Sequence, residues 1–402
     1  MMTSSLPTLR LHPKTEKTHT ARAIRHGFPW VYSNELVLDR RSKKVAAGSI
    51  ARLEDSKSQF LAYVAVNMTS RITGRVLSVK EDATFGDVWI KDKITTAAAH
   101  RDRLYDAPFY RLLHAESDGL PGVVIDRFGD VAVVQPNAAW ADARMDDIAA
   151  GLQNIGVKTV IMNGSGRARV LEGLAEETTI FQGDAPDGPL QVPMNGATYM
   201  ADVLGGQKTG LFYDQRPNHA FAAGLSKGAR VLDVFSHVGG FSLAALAGGA
   251  TSALAVDGSQ AALDLATKGA DAMGMSAAFS TRKGDAFDVL AQLQDEGAEF
   301  DVVICDPPAF APNKKALDAG LRAYERVARL AAPLVAKGGY LGLCSCSHAA
   351  DLSKFRNSSA RGIGRGGRKG QIIYTGFAGP DHPVLPQLAE SGYLKSLFFR
   401  LD

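Results

Sequence analysis

The chain has 402 residues, of which 46% are hydrophobic and 22% charged, a composition typical of a soluble protein with two or three domains. Its 45 basic and 42 acidic residues give a net charge of +3, which neither indicates nor excludes nucleic acid as a partner. The start lacks the apolar segment of a signal peptide, and no apolar run approaches the roughly 18 residues of a membrane helix. We therefore expect a cytoplasmic protein with no membrane partner.

The sequence pattern in the first half of the chain changes near residue 83. Residues 6–82 hold short β-like segments separated by turns, which predicts a small, mostly β domain that could bind either RNA or protein. Residues 83–190 combine two strands joined by a Gly-Asp turn, a helix in ADARMDDIAAGLQNIG and a strand in KTVIMNG. This second region is predicted to be an α+β middle domain.

Residues 191–402 show strand and helix patterns in alternation. Apolar runs of strand length stand at VLDVF, ALAVD, FDVVICDPP and GGYLGLCSCS, and helical runs rich in Ala and Leu follow the first two. Continuous apolar strands linked by helices are typical of a parallel sheet covered on both faces. The predicted fold class is α/β, with a doubly wound, Rossmann-like sheet in this domain.

Acidic residues close three successive strands of that predicted sheet. Asp233 ends the first strand before a Gly-Gly turn, Asp257 ends the second, and Asp285 follows the third. A carboxylate at the position of Asp257 can accept hydrogen bonds from ribose hydroxyls, and Asp285 can meet an adenine amino group. Because this region lacks the glycine patterns that bind pyrophosphate or triphosphate, an adenosine ligand without phosphates is favoured, and S-adenosylmethionine (SAM) fits. A purely structural turn remains the alternative for the glycines.

The segment Asp306-Pro307-Pro308-Ala309-Phe310 follows the apolar run FDVVIC. Its two prolines fix the shape of the loop, so that Asp306 can meet the polar edge of a base and Phe310 can stack on its face. A rigid turn without such a role is the alternative.

The three cysteines are Cys305, Cys344 and Cys346, an odd number confined to the last quarter of the chain. They predict no disulfide framework, and the spacing of Cys and His predicts no metal site. Cys305 and Cys344 lie within apolar runs and are expected in the core.

Cys346 lies just past its strand, beside the loop that begins with Asp306. Its thiolate could add to C6 of a pyrimidine and so make C5 nucleophilic, with Asp306 bonding N3 or N4 of cytosine. The pattern identifies neither the group that activates the thiol nor the base that removes the C5 proton.

Several motifs, in order along the chain, resemble one family. They are RHGFPWVYSNE (25–35), ESDGLPGVVIDRFGD (116–130), GGQKTGLFYDQRPN (205–218), DVFSHVGGF, GDAFD, DPPAF and SCS. Together they resemble bacterial large-subunit ribosomal RNA cytosine-C5 methyltransferases, which consist of a PUA domain, a middle α+β domain and a class I methyltransferase domain.

The resemblance implies SAM as methyl donor, Cys346 as nucleophile with Asp306, and large-subunit ribosomal RNA or its precursor as partner. It places the PUA-like domain at 6–82, the middle domain at 83–190 and the methyltransferase domain at 191–402. The implied cofactor-binding residues are Phe212, Gln215, Asp233, Phe235, Ser236, Gly239, Gly240, Phe241, Asp257, Gly258, Asp285, Ala286, Asp306 and Pro307. The implied RNA-binding residues are Arg25, Trp30 and Phe310.

The stretch RNSSARGIGRGGRKG, at 356–370, is rich in Gly and Arg. We expect a mobile basic loop in which Arg361, Arg365 and Arg368 contact RNA phosphates, with a solvated loop of no RNA role as the alternative. Two other functions stay open, namely methylation of a base nitrogen and RNA binding by a non-catalytic assembly factor. The sequence does not decide between a monomer and a homodimer.

Overall fold

A computed structural model of the chain describes residues 6–13, 20–206 and 210–402. The predicted segments at 1–5, 14–19 and 207–209, the last within GGQKTGLFYDQRPN, lie outside the described residues. The chain divides into two compact units: one holds Met1–Pro186 with Asp381–Ser391, and the other holds Asp187–Pro380 with Gly392–Asp402. The first two predicted domains fall in one unit as far as Pro186, while residues 187–190 of the predicted middle domain fall in the other. The boundary between the two domains stays a prediction. No helix in the described ranges is long and apolar enough to cross a membrane.

The first unit begins with a sheet of short strands, as predicted for the N-terminal region. Its elements are β1 (Thr8–Arg10), α1 (Thr20–Arg25), β2 (Trp30–Tyr32), β3 (Ile50–Glu54), β4 (Phe60–Val66) and β5 (Ile72–Ser78). The strand order is β1-β3-β4-β5-β2. Burial alternates along β3, so one face of that strand packs into a core that includes Leu53, Val64 and Val31.

A second sheet follows in the same unit. Its elements are α2 (Asp87–Arg101), β6 (Phe109–His114), β7 (Val123–Phe128), β8 (Val131–Pro136), α3 (Ala139–Asp142), α4 (Met145–Gln153), β9 (Thr159–Asn163), α5 (Arg167–Glu172) and β10 (Thr178–Gln182). The order is β10-β9-β8-β7-β6, and Gly129-Asp130 joins β7 to β8 as predicted. The single helix predicted for ADARMDDIAAGLQNIG is divided into α3 and α4, because Arg144 leaves the helical conformation.

A buried ionic network holds Asp381–Ser391 in this first unit. Arg101 is fully buried and donates two hydrogen bonds of 2.7 Å to the carboxylate of Asp118 and one of 2.9 Å to the carbonyl oxygen of Asp381. The carboxylate of Asp381 accepts from the backbone N–H of Arg111 at 3.0 Å. A buried guanidinium needs such partners, so this segment is an integral part of the unit.

The second unit contains the predicted α/β domain. Its elements are β11 (Leu190–Met194), β12 (Ala197–Ala201), α6 (Arg216–Gly224), β13 (Arg230–Val234), α7 (Gly240–Ala247), β14 (Ser252–Asp257), α8 (Gln260–Ala272), β15 (Phe279–Lys283), α9 (Ala286–Asp295), β16 (Phe300–Cys305), α10 (Leu317–Ala331), β17 (Val335–Ser345), α11 (Leu352–Arg365), β18 (Gly370–Gly376) and β19 (Lys395–Leu401). The large sheet has the order β15-β14-β13-β16-β17-β19-β18. Strands β13 to β17 are parallel, and β19 is antiparallel to both neighbours. The doubly wound α/β fold is therefore confirmed.

The strand order reverses between β13 and β16. From β13 the chain proceeds outward to β14 and β15, and then returns to β16 on the other side of β13. Ligands of doubly wound sheets bind beyond the carboxyl ends of the strands at this reversal. Asp233 lies in β13 and Asp306 directly follows β16, so both are at the expected position.

The mobile loop predicted for 356–370 is wrong over most of its length. Residues up to Arg365 belong to α11, which Asp351 caps by accepting a hydrogen bond from the backbone N–H of Lys354 at 2.8 Å. Gly362 allows close packing against α10, since a Cβ there would lie 2.4 Å from the carbonyl oxygen of Glu325. The glycines of this stretch predict flexibility, whereas Gly362 lets α10 and α11 approach each other.

Candidate active site

Asp233 is fully buried at the end of β13 and binds the start of α7. Its Oδ2 accepts hydrogen bonds from the backbone N–H of Ser242 at 2.9 Å and from the Ser242 hydroxyl at 3.0 Å. Burial raises the pKa of Asp233 to about 6, and the bonds from Ser242 oppose that rise. Asp233 therefore fixes the turn between β13 and α7.

That turn has an unusual backbone. Phe235 and His237 adopt positive φ angles of 63° and 50°, which residues other than glycine rarely do. The hydroxyl of Ser236, between them, is buried without a hydrogen-bond partner in the described part of the chain. Strained residues around an unpaired buried hydroxyl are typical of a ligand site.

His237 received no role from the sequence, yet it organises this turn. Its backbone N–H donates to Oδ2 of Asp257 at 2.9 Å, and its ring lies 5.0 Å from that of Phe212. Neither the left-handed backbone nor the contact with Phe212 has a local sequence signature.

The glycine pair has a structural reason in addition to the expected one. Gly239 has a φ of 81°, and a Cβ there would lie 3.0 Å from Cβ of Ala266. A Cβ at Gly240 would lie 2.7 Å from Nε2 of the buried His219. The close neighbours of both glycines are thus side chains of the protein, so the pair alone does not indicate a ligand.

Asp257 and Asp285 lie at the ends of β14 and β15, as expected. The two oxygens of Asp257 accept from the backbone N–H groups of His237 and Ser259, at 2.9 and 2.8 Å. Each carboxylate oxygen has a second lone pair, so Asp257 can still accept hydrogen bonds from hydroxyls. Asp285 is exposed and caps α9 by accepting from the N–H of Phe287 at 2.9 Å.

Gln215 anchors Asp306. Its Nε2 donates to Oδ2 of Asp306 at 2.9 Å, and its Oε1 accepts from Nδ2 of Asn218 at 2.6 Å. The side chain of Gln215 is almost fully buried, whereas Asp306 is partly exposed. Gln215, expected at the cofactor, thus also fixes the orientation of a residue expected at the base.

Phe310 belongs to a cluster of aromatic rings. Its ring centroid lies 5.0 Å from that of Tyr324, 6.3 Å from Phe235 and 6.2 Å from Phe287. The ring is half-buried, so the stacking on RNA that we expected for Phe310 stays a prediction. The other predicted cofactor residues in this region are the buried Phe241, Ala286 and Pro307 and the exposed Gly258.

Two cysteines lie in the core and the third lies just past its strand, as predicted. Cys305 and Cys344 are buried, and burial raises the pKa of both thiols well above the ordinary value. Cys346 is partly exposed and directly follows β17, with Sγ 4.0 Å from the carbonyl oxygen of Pro307. The structure therefore brings Cys346 and the Asp306 loop together.

The two serines around Cys346 bind a common partner. The hydroxyl of Tyr324 in α10 lies 2.9 Å from Oγ of Ser345 and 2.6 Å from Oγ of Ser347. Oγ of Ser347 also accepts from the backbone N–H of Ala311 at 2.9 Å. We call Tyr324, Ser345, Ser347 and the N–H of Ala311 the hydroxyl network. It fixes the residues on both sides of the thiol and joins them to the Asp306 loop.

The predicted RNA-binding residues are dispersed. In the first unit, Arg25 pairs with Asp55 at 3.1 Å, and the indole N–H of Trp30 donates to Glu116 at 2.8 Å. In the second unit, Arg361 and Arg365 are exposed on α11 and pair with Glu325. Arg368 differs, because its guanidinium donates to the carbonyl oxygens of Ala332 and Val335 at 3.2 and 2.5 Å.

Comparison with known proteins gives the family. A PUA-like domain matches residues 17–79, and an S-adenosylmethionine-dependent methyltransferase domain matches residues 165–364. Relatives named ribosomal RNA large subunit methyltransferase I include that of Erwinia tasmaniensis, 33% identical over 93% of this chain and 95% of its own. That of Aeromonas hydrophila is 35% identical over 92% and 95%, and that of Klebsiella pneumoniae is 33% identical over the full length of both. The chain belongs to this methyltransferase family.

Solved structures agree with the fold of this family member. A SAM-dependent methyltransferase of Streptococcus mutans covers 98% of this chain and all of its own, with a TM-score of 0.80 and 19% identity. A structure complexed with S-adenosylhomocysteine covers 98% and 99%, with the same TM-score and 20% identity. These structures agree with the expected fold, and the two family matches confirm the PUA-like domain and the SAM-dependent methyltransferase domain expected from the sequence.

The residues at the strand ends fit SAM, the cofactor of this family. The unpaired hydroxyl of Ser236 is a buried polar group that needs a partner, and Asp257 can accept from ribose hydroxyls. At Gly258 a Cβ would have its closest neighbour 4.0 Å away, so the backbone there is open to a ligand. SAM when bound supplies an electrophilic methyl group, and these residues would hold its adenosine part.

Proposed function

We propose that this protein methylates C5 of a cytosine in large-subunit ribosomal RNA or its precursor, in the cytoplasm, through a covalent adduct with Cys346. The observation that carries the proposal is the position of Cys346: it is the partly exposed thiol of three, beyond the sheet and 4.0 Å from the loop that bears Asp306. The names of the relatives support ribosomal RNA as substrate.

The thiolate of Cys346 adds to C6 of the cytosine, forming an S–C6 bond and placing electron density on C5. C5 then takes the methyl group as its bond to the donor breaks. Loss of the C5 proton and cleavage of the S–C6 bond restore the aromatic ring and the thiolate. The target base must leave its stack to reach the thiol.

Asp306 would orient the base. Gln215 donates to Oδ2 of its carboxylate and so fixes its orientation, and a carboxylate can accept a hydrogen bond from the exocyclic N4 amine of cytosine. The carbonyl oxygen of Pro307, next to Cys346, is a second acceptor at the same place. Acceptors of this kind favour cytosine, whose amine donates, over uracil, whose C4 carbonyl does not.

Exposed arginines on two adjacent helices would contact the RNA backbone. Arg361 and Arg365 lie on α11, with 59% and 68% of their side chains exposed. Arg322, Arg326 and Arg329 are exposed at i, i+4 and i+7 of α10, which packs against α11. We call these five residues the arginine surface. Arg368 is left out, because backbone carbonyls occupy its guanidinium.

The test is bisulfite sequencing of ribosomal RNA from a strain without this protein, complemented with wild type, Cys346→Ala or Cys344→Ala. Wild type should restore one protected cytosine, and Cys346→Ala should not. Cys344→Ala is the matched control, since its thiol is buried in the sheet and should be dispensable for chemistry.

Other outcomes identify the other functions. Methylation at a base nitrogen that survives Cys346→Ala would replace carbon chemistry by nitrogen chemistry. No change in methylation, together with no SAM binding by calorimetry, would indicate a non-catalytic RNA-binding factor. A homodimer would be detected by sedimentation of the full chain.

A further inference from the structure

Lys395 is a buried lysine that the sequence did not single out. It begins β19 and pairs in register with Ser345, the last residue of β17. Its overall exposure is 5%, which is rare for lysine. Its Nζ donates to the carbonyl oxygen of Ser347 at 2.6 Å and to that of Ala350 at 2.7 Å. One ammonium group thus binds both ends of the short segment that follows Cys346.

The groups around Cys346 come from several elements. Tyr324 of α10 hydrogen-bonds to the serines on both sides of Cys346, and Lys395 of β19 donates to the carbonyl oxygen of Ser347, the next residue. Asp306 precedes the proline whose carbonyl oxygen lies 4.0 Å from the thiol. Lys395 also interacts with Asp351 at the start of α11, and the carboxylate of Asp351 is itself paired with Lys354. Lys395 is a cation whose charge interacts with Cys346.

We propose that Lys395 is a positioning residue for Cys346, holding the segment after it in place and stabilising its thiolate by a buried positive charge. The inference rests on the proposed function for its relevance to catalysis. It supplies the activating group that the sequence left unidentified, because an ammonium beside a thiol favours the charged form.

The charge of Lys395 changes at a pH close to neutral. Burial lowers the pKa of Lys395 to about 8, and attraction by Cys346 opposes that change. The ammonium is therefore mostly protonated at neutral pH, and its support for the thiolate is lost as the pH rises through 8. The two carbonyl oxygens take two of its three N–H donors.

The test titrates the thiol in the full-length protein without RNA or SAM. The rate of Cys346 alkylation by iodoacetamide is measured against pH by peptide mass spectrometry, for wild type, Lys395→Met, Lys395→Arg and Lys354→Met. In wild type the pH midpoint of Cys346 alkylation should lie below the ordinary thiol value of about 8.5. In Lys395→Met the midpoint should lie about one pH unit higher than in wild type. Lys395→Arg should restore the wild-type midpoint in part. Lys354→Met is the matched control: it removes an exposed lysine near the same segment and should leave the midpoint unchanged.

The direction of the change separates the proposal from a merely structural role. A loosened segment would expose Sγ and speed alkylation at every pH, whereas loss of the cation raises the midpoint. An equal midpoint in wild type and Lys395→Met would overturn the inference. If Lys395→Met does not fold, a wild-type midpoint at or above about 8.5 overturns it alone. If the alkylation midpoints agree with the inference but the bisulfite experiment detects no 5-methylcytosine, the proposed function is overturned instead.

Discussion

The hydroxyl of Ser347 accepts a hydrogen bond from the backbone N–H of Ala311 at 2.9 Å, although the two residues are 36 positions apart. The bond is buried and joins the segment after β17 to the loop after β16. It therefore links the candidate nucleophile to the candidate base-binding loop.

Ser347→Ala should test this link. The substitution leaves the N–H of Ala311 and one contact of Tyr324 unsatisfied, at a cost of about 1–3 kcal/mol in the free energy of unfolding. The rate of methylation should fall by more than the loss of stability explains, because the two loops are no longer held in their relative positions. Urea unfolding and single-turnover methylation measure the two effects. Ser353→Ala, at an exposed position of α11, should change neither, and equal behaviour of the two variants would argue against the link.

Gln215→Leu should release Asp306. A hydrogen bond to a charged group contributes about 1.5–3 kcal/mol, which corresponds to a loss of roughly ten- to a hundredfold in kcat/KM for RNA. The measurement is the initial rate of methylation of large-subunit RNA from the deletion strain. The exposed Gln260→Leu is the control. A change of less than twofold in Gln215→Leu would show that Asp306 needs no anchor.

Asp233 should make stability depend on pH. Its pKa of about 6 in the folded protein exceeds the unfolded value of 3.8, so the folded state binds more protons between these values. The contribution of Asp233 to stability therefore falls as the pH rises from about 4 to 6, by an upper limit of about 3 kcal/mol. Asp233→Asn lacks this titration, so its stability relative to wild type should improve from pH 4 to pH 7. Urea unfolding across this range checks the sign, with the exposed Asp264→Asn as control. A difference that stays constant with pH would contradict the assignment.

The arginine surface should appear in the salt dependence of RNA binding. Replacing both Arg361 and Arg365 by Gln should lower the slope of log affinity against log salt by about 1.4–1.8, for two lost phosphate contacts. Filter binding between about 50 and 200 mM salt measures it. A matched control, Arg230→Gln with Arg282→Gln, removes two arginines that pair with Asp301 and Glu296 elsewhere in the unit. Equal slopes for the two double variants would remove α11 from the RNA interface.

Local patterns were sufficient to predict the strands and the residues at their ends. Asp233, Asp257 and Cys346 could be placed because an apolar run fixes where a parallel strand stops, and parallel strands stop on the same side of the sheet. Local patterns do not predict the helical conformation of α11, because glycine disfavours a helix when only the local sequence is considered. The contact of Gly362 with Glu325 depends on another helix.

Lys395 is a second residue whose place in the site could not be predicted from the sequence. It lies 48 positions after Ser347, and its contact depends on the antiparallel insertion of β19 between β17 and β18. No spacing rule connects a lysine at the start of one strand to a thiol that follows another strand. The same holds for His237, whose importance depends on its backbone angle and on Phe212.

The position of β19 also has a consequence for biosynthesis. The ribosome makes Cys346 and its strand before it makes Asp381–Ser391, which joins the first unit, and only then Lys395. Until β19 is inserted, β17 has an open side and the segment after Cys346 lacks the ammonium that binds it. A nascent chain that has folded its cofactor turn thus still lacks part of the candidate site, which is completed only when a strand synthesised well after Cys346 is inserted.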